Sequence, residues 1–344
     1  MKIILMFFWT LGLFVGTLIT TTNVQAQEPS LQLCFAAAAD YSPVYPTQTF
    51  PSTAKEVIAV FRLAKGESYK ILTGTWIAVD VGDAAPPNYQ IAKGDLQLQG
   101  RDRGKLSYSQ DNPLPLGKYR LDVRADGKPW KSAEFTVAPA DKASDIKEPR
   151  GLLPLTKGKI WTYQFMQEAG EGAKINLQGI VPDADGKARA KVTMTVAETD
   201  NAGTHIELRR NDVLVFDEWW QLGEKGLVAT KRKKEGKVFM LDPPQVSLPW
   251  PLKAPRTWDY EAKDKSFKQT YQIWGPVPIK EPKGVAPGFV VLVREHSQLP
   301  AITAERNFLP GVGMVREVII QALNGKMVSH QEMTLTGFRQ QNIK

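Results

Sequence analysis

The sequence predicts a mainly β protein: an immunoglobulin-like β-sandwich followed by a large curved antiparallel sheet or open barrel. Three observations predict this fold class. Short runs of alternating apolar and polar residues recur along the chain, as expected of half-buried strands. The 24 prolines and 27 glycines separate these runs and favour turns. No segment keeps a helical period over more than about two turns.

The first 26 residues are predicted to be a cleavable signal peptide. Lys2 precedes an almost continuous apolar run from Ile3 to Ile19, and Val24-Gln25-Ala26 has small or aliphatic residues where signal peptidase needs them. The alternative is an uncleaved anchor, but the run is short for a membrane-spanning helix and no cationic flank follows it. We therefore expect an exported protein, periplasmic or extracellular, with no transmembrane helix after cleavage.

Residues 27–139 are predicted to form the β-sandwich, since about seven short strands in about 105 residues match the size and spacing of immunoglobulin-like domains. The clearest alternating runs are Glu56–Leu63, Thr75–Val81, Asp95–Gln99, Tyr119–Arg124 and Ser132–Val137. Asp126-Gly127 indicates a tight hairpin between the last two runs. Trp76 is the expected core tryptophan. The single cysteine, Cys34, cannot form an internal disulfide and is expected to be a buried strand residue.

The end of this domain resembles the closing hairpin of immunoglobulin- or fibronectin-like modules in bacterial exported proteins. The resemblance rests on Leu116–Val123, Asp126–Lys128 and Ser132–Val137, together with the Thr75-Trp76 strand and the loop at 85–88. It covers about a third of the chain. It implies a fold and, because such folds host many functions, no activity.

Residues 140–150 are predicted to be a linker, because charges occur throughout and Ile146 is their only large apolar residue. Residues 151–344 are predicted to form a half-barrel-like antiparallel β domain. Its central strands are expected at about 175–181, 188–199, 203–210, 213–222, 256–262, 267–275, 288–296 and 302–309.

Two hairpins and a loop complete the second domain. One hairpin runs from Gly226 to Leu241. The segment from Asp242 to Pro251 is rich in proline and is predicted to be a loop. The last hairpin runs from Gly313 to Phe338 and turns at Asn324-Gly325, the strongest short hairpin signal in the chain.

The two ends of this domain also resemble exported bacterial proteins of unknown function. The matching segments are Leu153–Tyr163, with its Pro-Leu-x-x-Gly-x-x-Trp-x-Tyr pattern, and Phe308–Arg316, with a Pro-Gly-Val-Gly turn. The β architecture of those proteins is similar to the half-barrel of lipoprotein carriers. The resemblance implies no catalytic residues.

The net charge of +8 falls to +7 once Lys2 is removed, and residues 141–344 contribute +6, from 30 basic and 24 acidic side chains. A basic second domain favours an anionic envelope polymer, a lipid or another envelope protein as partner. Export argues against nucleic acid. The run Lys231–Lys234 has two interpretations, a solvated β-turn or a patch for an anionic surface.

No group of residues predicts catalysis, a metal site or a cofactor. The histidines, His205, His296 and His330, are isolated, whereas zinc needs three or four converging ligands. No Gly-x-Ser-x-Gly motif is present. Asp183 and Asp185 have turn composition. A carboxylate pair, such as one involving Asp217-Glu218, leaves open a glycan-active enzyme.

The aromatic residues of the second domain are the candidates for ligand binding, since aromatic side chains on an open sheet face stack on sugars or line an apolar site. As strand residues they fit a packed core equally well. Trp219 and Trp220 are adjacent, so a strand must direct them to opposite faces. The candidates are Trp219, Trp220, Trp250, Trp258, Tyr260 and Trp274.

The sequence therefore favours a non-catalytic exported envelope protein with a binding or interaction role and an unidentified ligand. Two alternatives stay open at this point. One is a carrier of an apolar or lipid ligand in the half-barrel. The other is the glycan-active enzyme.

Overall fold

The computed structural model describes residues 28–139 and 149–340, apart from short gaps at 176, 178–179, 201–202, 224–225, 235, 251–255, 266–267, 282–283 and 297–299. The predicted signal peptide and most of the predicted linker lie outside the described residues. The described chain divides into two compact units, one within 28–139 and one within 149–340. Strands dominate both units, which confirms the mainly β prediction.

The first unit consists of two sheets that pack face to face. One sheet has the order β2-β1-β4-β7 and the other the order β3-β9-β8-β5-β6. The strands are β1 (Ser30–Ala37), β2 (Pro43–Pro46), β3 (Thr49–Pro51), β4 (Glu56–Arg62), β5 (Ile71–Asp80), β6 (Tyr89–Gln97), β7 (Arg103–Ser109), β8 (Gly117–Ala125) and β9 (Lys128–Ala138).

Aromatic side chains join the two sheets of the first unit. Trp76 on β5 is 3% exposed, and its ring lies 6.1 Å from those of Tyr108 and Phe135. Tyr119, near the start of β8, donates a hydrogen bond of 2.7 Å to the backbone oxygen of Pro115. A tyrosine in this position, bonded to the preceding corner, is typical of immunoglobulin-like sandwiches. Cys34 is buried and free, as predicted.

The second unit is one sheet of twelve antiparallel strands, called here the large sheet. A helical turn, α1 (Pro149–Leu152), precedes it. The strands of its first half are β10 (Lys159–Ala169), β11 (Lys187–Asp200), β12 (Gly203–Arg210), β13 (Val213–Gly223), β14 (Gly226–Lys234) and β15 (Lys237–Pro249). Those of its second half are β16 (Arg256–Glu261), β17 (Lys268–Glu281), β18 (Gly284–Glu295), β19 (Ala301–Leu309), β20 (Gly313–Leu323) and β21 (Lys326–Gln340).

The large sheet curves until it is nearly closed. The chain starts in the middle at β10, proceeds to one edge at β15, continues at the other edge with β16, and returns to β21, which pairs with β10. The two edges approach each other at a seam. There, Lys263 N donates to Asp242 O (3.0 Å), and the Trp258 Nε1 donates to Val246 O (3.4 Å).

Two strand predictions for the second unit were wrong. The expected loop from Asp242 to Pro251 is mostly strand, because β15 continues to Pro249. Prolines lack the N–H that a central strand must donate, but an edge strand tolerates them. The strand expected at 175–181 is absent from the described part of this segment, where an isolated bridge between Leu177 and Ile180 is found.

The two segments that carry the sequence resemblance of the second domain, Leu153–Tyr163 and Phe308–Arg316, are in contact in the structure. Trp161 Nε1 donates to the backbone oxygen of Val312 (2.5 Å), and the Tyr163 hydroxyl donates to that of Met314 (3.0 Å). Gly313 lies against Leu153, so that a Cβ there would be 2.6 Å from the Leu153 Cδ1. The Pro-Gly-Val-Gly turn thus closes on the start of β10. Among the residues that the structure describes, no helix has the length and apolar character needed to cross a membrane.

We expect Gly313→Ala to destabilise the protein by about 2–3 kcal/mol, because its φ of 101° and the close contact with Leu153 both oppose a side chain. Gly311→Ala is the matched control in the same turn. Its φ is 73° and a Cβ there meets no atom within 4 Å, so only the backbone cost of about 1 kcal/mol applies. Equal losses in urea unfolding would contradict the packing argument.

Candidate functional site

The concave, inner face of the large sheet contains buried charges among apolar side chains. Among the described residues, alternation along each strand and the register between strands place three arginines and three glutamates on this face, all at most 7% exposed. They are Arg210, Glu218, Arg232, Glu295, Arg306 and Glu317. Buried charges are costly unless they are paired, so the partners of each group define the site.

Two of the arginines form ion pairs with cross-strand neighbours. Arg232 on β14 donates through Nε (3.1 Å) and Nη2 (2.5 Å) to Glu218 Oε1 on β13. Trp220 Nε1 donates to the other oxygen of Glu218 at 2.5 Å. Arg306 on β19 donates through Nε to Glu317 on β20 at 2.6 Å. Despite this pairing, burial raises the pKa of Glu317 above its ordinary value.

Polar side chains also connect the edge strand β15 with β17, the neighbour of the other edge strand, across the seam. Gln245 of β15 donates through Nε2 to Gln269 Oε1 (2.5 Å) and to the Tyr271 hydroxyl. The Tyr271 hydroxyl in turn donates to Gln269 Oε1 (2.6 Å). Trp258 stacks on Tyr271 with 4.9 Å between ring centroids. Burial raises the pKa of Tyr271 well above its ordinary range, so the hydroxyl stays protonated and acts as a donor.

A cavity lies on the inner face between β10–β13 and β20–β21. Its volume is about 20 Å³, enough for about one water molecule. Six apolar and three polar side chains line it: Phe165, Val192, Leu208, Val215, Ile319, Met333, Arg210, Glu317 and Gln331.

Two hydrogen-bond donors of the cavity wall have no partner among the described residues. They are Arg210 Nη1 and Gln331 Nε2, on side chains that are 7% and 2% exposed. Burial lowers the pKa of Arg210, but a guanidinium remains protonated in proteins. Both nitrogens are themselves buried, so the surface that the cavity exposes is apolar although Arg210 and Gln331 contribute to its wall.

The predicted aromatic residues do not form one cluster. Trp220, Trp258 and Tyr260 lie on the inner face, where Trp220 and Trp258 contact the polar groups described above. None of the six candidates lines the cavity. Trp250 follows β15 and is half-buried, and Trp274 is half-buried on the outer face of β17, in register with Val290.

The structure directs Trp219 and Trp220 to opposite faces, and Trp219 belongs to the outer one. The His205 ring stacks on Trp219 at 4.3 Å, and the Lys231 Nζ lies 3.9 Å from the centroid of the same ring. His205 Nε2 is 3.4 Å from Asp217 Oδ1. His205 and Lys231 are the cross-strand neighbours of Trp219 and cover part of its ring.

The run Lys231–Lys234 is not a uniformly solvated turn, which corrects one of its two interpretations. Arg232 is 4% exposed and points inward to Glu218. The phase of β14 explains the difference, since alternation directs Arg232 inward and Lys231 outward. Arg232 therefore cannot contribute its charge to a surface patch that binds an anionic partner.

The carboxylates considered for catalysis are separated or engaged. Asp217 and Glu218 point to opposite faces of β13, and Glu218 is bound by Arg232. Asp183 Oδ1 accepts from the backbone N–H groups of Asp185 and Lys187, which is the turn role expected from composition. Within the described ranges, no group of three or more His, Cys, Asp or Glu side chains converges as metal ligands would.

The sequence interpretation missed the charged residues of the inner face, although the strand phase contains a signal for them. Arg210 has the same parity as the buried Ile206 and Leu208, and Gln331 has that of Met333 and Leu335. A polar residue in the apolar phase of a strand therefore marks the site better than aromatic content does.

Two solved structures are similar to this chain. One is a presumed exported protein with a YmcC-like fold from Bacteroides fragilis, at 12% identity over 54% of this chain and 97% of that chain, with a TM-score of 0.27. The other is a presumed lipoprotein from Parabacteroides distasonis, at 14% identity over 54% of this chain and 96% of that chain, with a TM-score of 0.26. No family profile matches the chain, and no curated protein matches it.

Glu295 provides a test of the buried charges. Burial raises its pKa from 4.5 to about 7. The folded protein then keeps a proton that the unfolded chain loses, so stability falls as pH rises between about 4.5 and 7. We expect Glu295→Gln to remove this loss, stabilising the protein at pH 8 relative to wild type by on the order of 3 kcal/mol, with little gain near pH 4.

Urea unfolding of both proteins across this pH range measures the difference. Glu261→Gln, an exposed carboxylate on β16, serves as the control and should change stability by less than about 0.5 kcal/mol at any pH. A pH-independent effect of Glu295→Gln would show that the carboxyl is not buried as described.

Proposed function

We propose that the protein is an exported, non-catalytic binding protein that holds a small ligand within the large sheet. The observation that carries this proposal is the cavity, which has an apolar surface and adjoins two buried donors that have no partner among the described residues. Ligand sites typically combine a mostly apolar wall with a few polar groups that orient the ligand.

The size of the cavity limits the ligand. A volume of about 20 Å³ accommodates a group of about the size of one water molecule. An acyl chain does not fit this conformation, so the lipid-carrier alternative would require the sheet to open. The glycan-active alternative receives no support from Asp217 and Glu218, because they lie on opposite faces of β13.

Ion pairing supports a binding role over a catalytic one. Glu218 and Glu317 each accept hydrogen bonds from a buried arginine. A general base needs an oxygen within reach of a substrate proton. These two carboxylates instead form ion pairs with buried arginines. Export is supported by the composition of residues 1–26, with its apolar run and small residues before the expected cut.

The ligand proposal predicts that small organic molecules stabilise the protein. In thermal unfolding with a panel of anionic, neutral and cationic compounds of about one to three heavy atoms, we expect at least one compound to raise the midpoint in a saturable manner. Val192→Leu, which fills the cavity, should abolish that rise. Val196→Leu, on the same strand and face but outside the cavity lining, should retain it. If no compound stabilises wild type, the proposed function is wrong.

Export predicts processing after Ala26. When the full chain is produced in a bacterial host, mass spectrometry of the envelope fraction should find a mature chain that begins at Gln27. Ala26→Trp should block cleavage because signal peptidase needs a small residue there, whereas Gln25→Ala should be cleaved normally. Cytosolic protein with an intact Met1 would contradict export.

A further inference from the structure

We propose that the end of the β14–β15 hairpin docks on the surface of a bilayer that contains anionic phospholipids. The hairpin tip is defined here as Lys231–Met240, where β14 turns into β15. It brings exposed apolar residues and lysines together on the same face of the large sheet. This inference concerns the outside of the sheet and does not depend on the ligand proposed for the cavity.

Exposed apolar side chains are concentrated at one end of the large sheet. Because its strands are antiparallel, the β10–β11, β12–β13, β14–β15 and β20–β21 connections all lie at this end. Nine large apolar side chains of the second unit are exposed within the described ranges, and all but Leu222 and Val285 are found there. Three of them, Val238, Phe239 and Met240, are consecutive in the hairpin tip and are 54%, 40% and 69% exposed. An exposed apolar group of this kind marks a contact surface.

Lysines accompany the apolar residues on the outer face. Lys231 is the cross-strand neighbour of Met240, which lies on the outer face with it. Lys233 is the neighbour of Val238 in the same way, and Lys237 is exposed next to the turn. A lysine has an apolar stem and a charged end, which match the acyl boundary and the phosphate groups of a bilayer surface.

The hairpin has an excess of positive charge. Between residues 226 and 241 the sequence has five basic side chains and one acidic one. Arg232 is neutralised by its inward ion pair, which leaves the lysines in excess. Asp217, the cross-strand neighbour of Lys233, is only 3% exposed, and the exposed Asp212 belongs to the neighbouring β12–β13 turn. The hairpin therefore complements an anionic surface.

The combination of charge and apolar surface selects a bilayer over other anionic partners. A soluble polyanion would contact the lysines but leave Val238 and Met240 in water. The boundary between headgroups and acyl chains accepts both kinds of side chain. A second copy of the chain would bring a second set of lysines to the same place, and like charges there oppose association.

Vesicle binding tests the proposal with the chain from Gln27 onward. This chain contains every described residue and lacks the apolar run Ile3–Ile19, which would bind bilayers by itself. In co-sedimentation, we expect saturable binding to phosphatidylcholine vesicles with about one third phosphatidylglycerol, and at least about tenfold weaker binding to phosphatidylcholine alone. Raising the salt from about 0.1 M to about 0.5 M should weaken the binding to the mixed vesicles, because salt screens the lysine charges.

Paired variants locate the contact. Met240→Gln keeps the length of the side chain but not its apolar character, and should weaken binding to the mixed vesicles by about tenfold. Lys237→Gln should weaken it by about fivefold. Val285 is 69% exposed, as Met240 is, and it neighbours Lys280 on the β17–β18 hairpin at the opposite end of the sheet. Val285→Thr and Lys280→Gln are therefore matched controls that should bind as wild type does.

A fluorescent label distinguishes insertion from attraction to headgroups alone. Cys34 is the only cysteine and is buried, so Met240→Cys introduces the one accessible thiol. An environment-sensitive fluorophore on that thiol should shift to shorter wavelength with the mixed vesicles, because the label enters the acyl boundary. The same label on Val285→Cys should not shift.

Each contrary outcome overturns the proposal. Unweakened binding of Met240→Gln would show that the lysines attract the vesicles without apolar contact. Equal losses in the Val285→Thr control would show that the contact is not at the hairpin tip. Self-association of wild type without vesicles, lost in Met240→Gln, would assign the surface to a second copy instead. Val192→Leu, the cavity variant, should bind vesicles as wild type does, so failure of the cavity proposal leaves this inference standing.

Discussion

The buried charges on the inner face constrain the second unit, because a charge without a partner is costly where water cannot solvate it. The pairs Glu218–Arg232 and Arg306–Glu317 satisfy this requirement between cross-strand neighbours. Removing one partner of such a pair typically costs about 3–5 kcal/mol, although the intact pair adds little net stability. The register of β13 with β14, and of β19 with β20, is thereby fixed. A slip by one residue would move one charge to the other face and leave its partner buried without a counter-charge.

The order of the strands lets these pairs lie close to the seam and to the cavity. Because the chain begins and ends in the middle of the large sheet, β10 and β21 form a continuous ladder there, and the strands most distant from them are the two edges. Gln245, Gln269 and Tyr271 join β15 to β17 across the seam through side chains. Arg210 and Gln331 lie on the ladder side, where Phe165 and Met333 supply the apolar wall.

Local signals in the sequence predicted the features that depend on neighbouring residues. Asp126-Gly127 and Asn324-Gly325 form the turns expected of them, with positive φ at all four residues. Alternation predicted most strands, although it could not show which strand forms an edge. That is why the prolines of β15 suggested a loop. The cavity depends on side chains from strands more than 100 residues apart, such as Arg210 and Gln331, and no local pattern reveals that they meet.

The composition of β15 has a consequence for the behaviour of the protein at high concentration. An exposed strand edge offers backbone donors and acceptors to a second molecule, and such edges promote intermolecular polymerisation. Pro243, Pro244 and Pro249 lack the N–H that a foreign strand would require. Pro243 and Pro244 are also solvent-exposed. The prolines of β15 therefore leave this border of the large sheet with fewer donors for a strand of a second molecule, which opposes fibre growth.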